Sequence, residues 1–236
     1  MRVIILAGGR GTRLAEETSV IPKPMVEIGG KPMLWHIMNS YAKQGHTDFT
    51  IATGYLADVI DRWVESLPEI WNVKTLFTGL DTQTGGRIRR CLLEDDDDLF
   101  LATYGDGLSN VNLEQLMEHH KSQNFLATLT AVRPPARFGV VEILEGAVSH
   151  FGEKLQAESG WINGGFFVLD RGVSDFVSGD DEPFESGALT RLAHLGLLGG
   201  FEHFGFWKPM DTLREKLEYE ELFRNETFPW LNLYEI

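Results

Sequence analysis

The β-branched run Val3-Ile4-Ile5 passes without a break into residues 6–14, "LAGGRGTRL". This junction restricts the fold more than any other feature of the chain. Val and Ile favour a buried strand, while Gly8, Gly9 and Gly11 let the backbone turn tightly and bring its amides close to an anion. A strand feeding a Gly-rich loop therefore predicts the first unit of an α/β sheet with phosphate at the strand's carboxyl end. Two better-known patterns fail to complete. A dinucleotide fingerprint begun at Gly9 and Gly11 would need a third glycine where Leu14 stands, and no Gly-Lys-Ser/Thr follows the glycines.

Strand patterns at Arg2 to Ala7, Asp48 to Thr53, Val73 to Phe77 and Leu99 to Tyr104 alternate with helical ones. That alternation predicts a Rossmann-like, mainly parallel sheet flanked by helices on both faces. A helix is expected from Pro32 to Lys43, with Met33, Leu34, Ile37, Met38 and Tyr41 as its core stripe and Trp35 and His36 beside it. Asn112 is expected to cap the helix that carries Leu113, Leu116, Met117 and His120, with Gln115 three residues on. From about residue 126 the texture turns to strands: "LATLTAV", "GVVEIL", "AVSHFGE", "WINGGFFVL" and, later, "FEHFGFWKPM". With 236 residues, 43% of them hydrophobic, and no Pro- or Ser-rich linker, the chain reads as one domain. Its nucleotide-binding part is 1–125 and its β-rich acceptor part 126–236.

The net charge of −14 argues against nucleic acid or an anionic membrane as partner, so an anionic substrate must be met by local basic residues. The first apolar run ends at Gly8, too short for a membrane span. Cys91, the single cysteine, reads as a packed thiol and suits a reducing, cytoplasmic setting. The acidic run Glu94 to Asp98 reads as a solvated turn.

Several short stretches carry chemistry. In "PKPM", Pro22 to Met25, two prolines fix the backbone around Lys23 and make its ammonium a positioned charge. In "TYGDG", Asp106 follows Gly105 where an apolar strand ends, the place where open α/β sheets bind ligands; it reads as a Mg²⁺ ligand. "WKPMDTLRE" offers Asp211 either as a second carboxylate at the site or as the cap of the helix that follows. "TGGR" opens a further helix with the amides of Gly85 and Gly86 and the guanidinium of Arg87 available to an electron-rich group. In "WINGGFF", Gly164 and Gly165 suggest a bulge or the close approach of a ligand, and Asn163 can donate to and accept from sugar hydroxyls.

Through "LAGGRGTRLAEETSVIPKPMVEIGGKPMLWHIM", "TGGRIRR", "TYGDG", "WINGGFFVL" and "GFWKPMDTLREK", nearly the whole chain resembles the sugar-1-phosphate nucleotidyltransferases, and in particular their cytidylyltransferase branch. The resemblance implies transfer of a cytidylyl group from CTP to glucose 1-phosphate with release of diphosphate. Another sugar 1-phosphate, UTP or dTTP as donor, or a non-catalytic nucleotide-sugar-binding relative are the alternatives. It implies that Leu6, Ala7, Gly8, Gly9, Gly11, Thr12, Arg13 and Gly105 hold the nucleotide, with Arg13, Lys23 and Asp106 catalytic and Lys23 bridging nucleotide and sugar phosphates. It further implies that Thr82, Gly85, Gly86 and Arg87 border the cytidine, that Glu153, Lys154, Asn163 and Gly164 meet the sugar phosphate, and that Asp106 and Asp211 hold Mg²⁺ in a homo-oligomeric enzyme. The chain departs from that pattern at Leu155, where similar proteins have proline, and in a short stretch between Tyr55 and Thr78. No general base is evident among the motifs. None is required, because a phosphate monoester with a second pKa of about 6 is already mostly a dianion at neutral pH.

Overall fold

The computed structural model describes residues 1–11, 14, 18, 20–67, 69–133, 140–144, 147–152 and 160–232, with backbone alone at 140–144 and 147–152. The strands are β1 (Val3–Leu6), β2 (Glu27–Ile28), β3 (Lys31–Pro32), β4 (Asp48–Thr53), β5 (Asn72–Phe77), β6 (Leu99–Tyr104) and β7 (Gly107–Ser109) in the first half of the chain. They continue with β8 (Ala127–Val132), β9 (Val140–Leu144), β10 (Ala147–Gly152), β11 (Ile162–Asn163), β12 (Phe167–Asp170), β13 (Leu198–His203) and β14 (Trp207–Pro209). Between them lie helices α1 (Met33–Ala42), α2 (Ala57–Val64), α3 (Thr84–Glu94), α4 (Leu113–Ser122), α5 (Thr190–His194) and α6 (Leu213–Arg224).

An eight-stranded sheet runs in the order β11-β8-β12-β6-β1-β4-β5, with β13 also pairing β8. β6, β1, β4 and β5 are parallel, whereas β12 pairs antiparallel with both β6 and β8. Strands from before and after residue 126 thus hydrogen-bond within one sheet. Alternation along β1 explains why helices are needed on both faces. Val3 and Ile5 enter one core with Leu34, Ile37, Met38 and Tyr41 of α1, while Ile4 enters the other with Ile88, Cys91 and Leu92 of α3. Each of these buried aliphatic side chains contributes roughly 1.5–3 kcal/mol. The α1 stripe is wider than its periodicity suggests. His36 is buried as well, its Nε2 2.9 Å from the Ile28 carbonyl, and burial lowers its pKa. Pro32 lies in β3, just before the helix, with extended ψ. Asn112 caps α4 by accepting from the Gln115 amide at 3.0 Å.

The acidic run before β6 is not simply a solvated turn. Asp95 is largely buried and accepts from Lys74 Nζ at 2.7 Å and from Thr50 at 3.2 Å, and it pairs with Arg2 at 3.2 Å. Asp97 accepts from the Arg2 amide at 3.0 Å. The run therefore clamps the amino-terminal ends of β1, β4 and β5, because tertiary folding brings cations there that lie far away in sequence.

Cys91 is fully buried on α3, and burial pushes its thiol up to about 12. The reactive species is the thiolate, so native protein treated with iodoacetamide at pH 8 should remain unalkylated by mass spectrometry, and urea-unfolded protein should be alkylated fully. Rapid alkylation of the native chain would contradict this packing.

Candidate active site

At the carboxyl ends of β1 and β6 the chain forms a cleft of about 650 Å³. Leu6, Ala7, Gly8, Gly9 and Gly11 form one wall, Lys23, Gly105, Asp106 and Asp211 the floor of charged chemistry, and Thr82, Arg87 and Asn163 further borders. Gly85, Gly86 and Gly164 are not part of this lining. Thr12, Arg13, Glu153 and Lys154 lie outside the described residues.

Lys23 opens a 3-10 turn, Lys23–Met25, entered from Pro22 in extended conformation. Its ammonium donates to Asp106 Oδ2 and Asp211 Oδ1, each at 2.6 Å, although the lysine is almost wholly buried. Two packing details hold it there. Gly105 lies against the turn so closely that a Cβ would come within 2.8 Å of Pro24 Cγ and 2.6 Å of the Leu6 carbonyl oxygen, so no larger residue fits. A two-stranded ribbon then joins the carboxylates. β7, which follows Asp106, pairs antiparallel with β14, which precedes Asp211, and the Met210 amide donates to the Asp106 carbonyl at 2.7 Å.

The ambiguity over Asp211 is resolved by its neighbour. Thr212 caps α6, accepting from the Glu215 amide while Glu215 Oε2 accepts from the Thr212 amide at 2.9 Å, a complete capping box. Asp211 therefore points its carboxylate at Lys23 instead of capping the helix. Two carboxylates aimed at one point repel each other unless a cation lies between them, and here the ammonium supplies that charge. Among the described residues no three His, Cys, Asp or Glu side chains gather as a metal cage. A hard divalent cation bound by one or two carboxylates and completed by substrate phosphate oxygens fits this donor set.

Arg87 behaves differently from the expectation for "TGGR". The residue is 4% exposed, and its guanidinium donates to the carbonyls of Gly8, Thr53 and Gly79 and to the Thr78 hydroxyl, at 2.6 to 3.1 Å. A Cβ on Gly8 would lie 2.1 Å from Nη1, so a larger residue there would displace the guanidinium from its acceptors. Burial lowers the guanidinium's pKa. The Gly85 amide likewise donates to the Glu182 carbonyl. These groups are committed within the protein: Arg87 ties the Gly-rich loop to the ends of β4 and β5 and presents only part of its surface to the cleft.

Gly164 and Gly165 form the irregular link between β11 and β12. The register against β8 slips between Asn163↔Ala131 and Val168↔Thr128, a bulge held by the Asn163 side chain accepting from the Gly165 amide at 2.9 Å. Trp207 Nε1 donates to the Gly164 carbonyl at 2.7 Å. Gln83 and Glu185 line the cleft without any part in the sequence reading, and Thr84, Tyr104, Ile162, Trp207 and Pro209 line it from within motifs quoted for other residues. Trp207 stands within a quoted motif, but Glu185 carries no local signal and reaches the cleft only through the fold.

Residues 2–195 match the Nucleotidyl transferase family. The chain is 44% identical to the glucose-1-phosphate cytidylyltransferase of Salmonella typhimurium over 98% of both chains. It is 31% identical to a mannose-1-phosphate guanyltransferase of Yarrowia lipolytica over 90% of this chain and 62% of that one. Among solved structures, HddC from Yersinia pseudotuberculosis complexed with GMP-PN superposes with a TM-score of 0.73 at 26% identity, covering 94% of this chain and 99% of that one. With a Gly-rich loop, a clamped lysine and two converging carboxylates at the carboxyl ends of its parallel strands, this chain belongs to the nucleotidyl transferase family.

Proposed function

We propose that the protein joins CTP to glucose 1-phosphate, forming CDP-glucose and diphosphate. The observation that carries the reading is the placement of Lys23 between Asp106 and Asp211 beneath the Gly-rich loop, in a chain 44% identical over nearly its full length to a glucose-1-phosphate cytidylyltransferase. An oxygen of the sugar phosphate attacks the α-phosphorus of CTP; that bond forms as the bond between the α-phosphorus and the bridging oxygen breaks, and diphosphate leaves with the electron pair. Both reactants are polyanions, so alignment and charge compensation dominate the barrier. The loop amides from Gly8 to Gly11 face the nucleotide phosphates, and the Lys23 ammonium offsets charge at the reacting centre. Asp106 and Asp211 would hold Mg²⁺, and the chemistry it would supply there is further charge neutralisation. Homo-oligomeric assembly and a cytoplasmic setting belong to the same reading, and light scattering on the purified protein tests the first.

Cytosine presents an acceptor at N3 and a donor at its exocyclic amine where uracil presents the reverse, so a site wired for one leaves polar groups unpaired with the other. Diphosphate release measured for CTP, UTP, dTTP and GTP against several sugar 1-phosphates is expected to peak at CTP with glucose 1-phosphate. The kcat/KM for CTP should exceed that for UTP by about tenfold or more. Equal values would remove CTP from the reading, and no release with any pair would favour a nucleotide-sugar-binding relative.

A further inference from the structure

Glu185 has no place in the chemistry described above, yet its carboxylate stands in the cleft wall. It opens a π-helical turn, Glu185–Leu189, that runs straight into α5. Such a turn inserts an extra residue and re-aims side chains. Its two oxygens are individually held. Tyr104 donates its hydroxyl to Oε1 at 2.5 Å and Thr84 donates its hydroxyl to Oε2 at 2.9 Å. Tyr104 in turn accepts from Asn163 Nδ2 at 3.1 Å, so a continuous chain of hydrogen bonds runs from β11 through the end of β6 to Glu185. A carboxylate has about four lone-pair sites, and these two bonds fill half of them.

A negative group exposed to a cleft built for polyanions weakens phosphate binding unless it meets donors instead. The donors that CTP and a sugar phosphate bring are ring hydroxyls and the exocyclic amine of cytosine. Burial and the adjacent Glu185 carboxylate push the Tyr104 phenol well up, so Tyr104 remains a donor and holds the carboxylate still. Asn163, Ile162 and Trp207 place this corner in the half of the cleft built by residues after 126.

On the reading given under the proposed function, we infer that Glu185 accepts hydrogen bonds from adjacent hydroxyls of the hexose ring and so determines which sugar 1-phosphate is used. Tyr104 and Asn163 are positioning residues for it. Phosphate makes no demand on this corner; hydroxyl stereochemistry does.

The test compares Glu185→Gln with unmodified protein on CTP and glucose 1-phosphate, on deoxyfluoro glucose 1-phosphates altered at each ring position in turn, and on 2′-deoxy- and 3′-deoxy-CTP. Glu185→Gln keeps the shape of the side chain but replaces one acceptor oxygen with a donor. Its KM for glucose 1-phosphate should rise about tenfold, with the KM for CTP unchanged within twofold. For the one or two analogues that lack the hydroxyl being read, variant and unmodified protein should become equal. Tyr104→Phe should show the same pattern more weakly, at an unchanged melting temperature. A rise confined to the KM for CTP would overturn the hexose assignment, transferring Glu185 to the ribose if a deoxyribose abolishes it and to the cytosine amine if it does not. Equal sensitivity to every analogue would overturn any reading role. Turnover of glucose 1-phosphate by unmodified protein tests the underlying reading separately. If a different sugar 1-phosphate proves to be the substrate, the same ratios measured on its deoxy analogues decide the role of Glu185.

Discussion

Asp106→Asn and Asp211→Asn are each expected to lower kcat at least about 100-fold, close to 3 kcal/mol of transition-state stabilisation, while the protein stays folded. Each carboxylate accepts from the Lys23 ammonium at 2.6 Å, and they converge on it from different parts of the chain. An amide in place of either removes one of the two anionic acceptors that hold the Lys23 ammonium at the reacting centre, and it removes half of the carboxylate pair available to a divalent cation. The fold has little to lose at Asp211, because Thr212 and Glu215 cap α6 without it. Steady-state kinetics with a thermal melt of each variant checks the expectation. If Asp211→Asn turned over normally but melted early, the carboxylate would belong to the fold alone.

Arg87→Ala is expected to destabilise the protein by roughly 3 kcal/mol or more, since a buried acceptor left unpaired costs about 1–3 kcal/mol and several lose their donor together. The carbonyls of Gly8, Thr53 and Gly79 and the Thr78 hydroxyl all depend on this guanidinium. Arg87→Lys should recover little, because an ammonium on a flexible stem cannot span the acceptors that the planar fork reaches. Urea unfolding should show a lower midpoint with an unchanged slope. The KM for CTP should rise as well, since the Gly8 carbonyl that Arg87 holds belongs to the Gly-rich loop. A variant that retained full stability but lost only its preference for CTP would show that Arg87 acts on the base directly and that its bonds within the protein are incidental.

These two sites differ in how far they could be read from residues alone. The passage from β1 into the glycines at Gly8, Gly9 and Gly11 is legible because strand and tight turn are local demands written as Val, Ile and Gly. The place of Asp106 in the cleft is legible because open α/β sheets form their clefts at the ends of parallel strands. Asp211 was not decidable locally, since Asp-Thr-Leu-Arg-Glu offers two possible caps and only the observed bond from Glu215 to Thr212 selects one. Nothing near "TGGR" in sequence discloses the acceptors of Arg87, which come from the ends of three different strands. Asp95 was misread for the same reason: Arg2, Lys74 and Thr50 become its partners only when β1, β4 and β5 lie side by side.

The sequence by itself determined the strands β1, β4, β5 and β6 and the helices α1 and α4 to within a few residues, because propensity, periodicity and glycine geometry act over short stretches. Pairing of β7 with β14 was decided by the tertiary structure alone, and that pairing carries Asp211 to Asp106 and both to Lys23. So was the arrival of Glu185 in the cleft, through a π-helical turn whose partners, Thr84 and Tyr104, lie on other elements. Contacts between distant residues depend on strand order and register, which arise from the packing of the whole core and leave no mark within a short window of sequence.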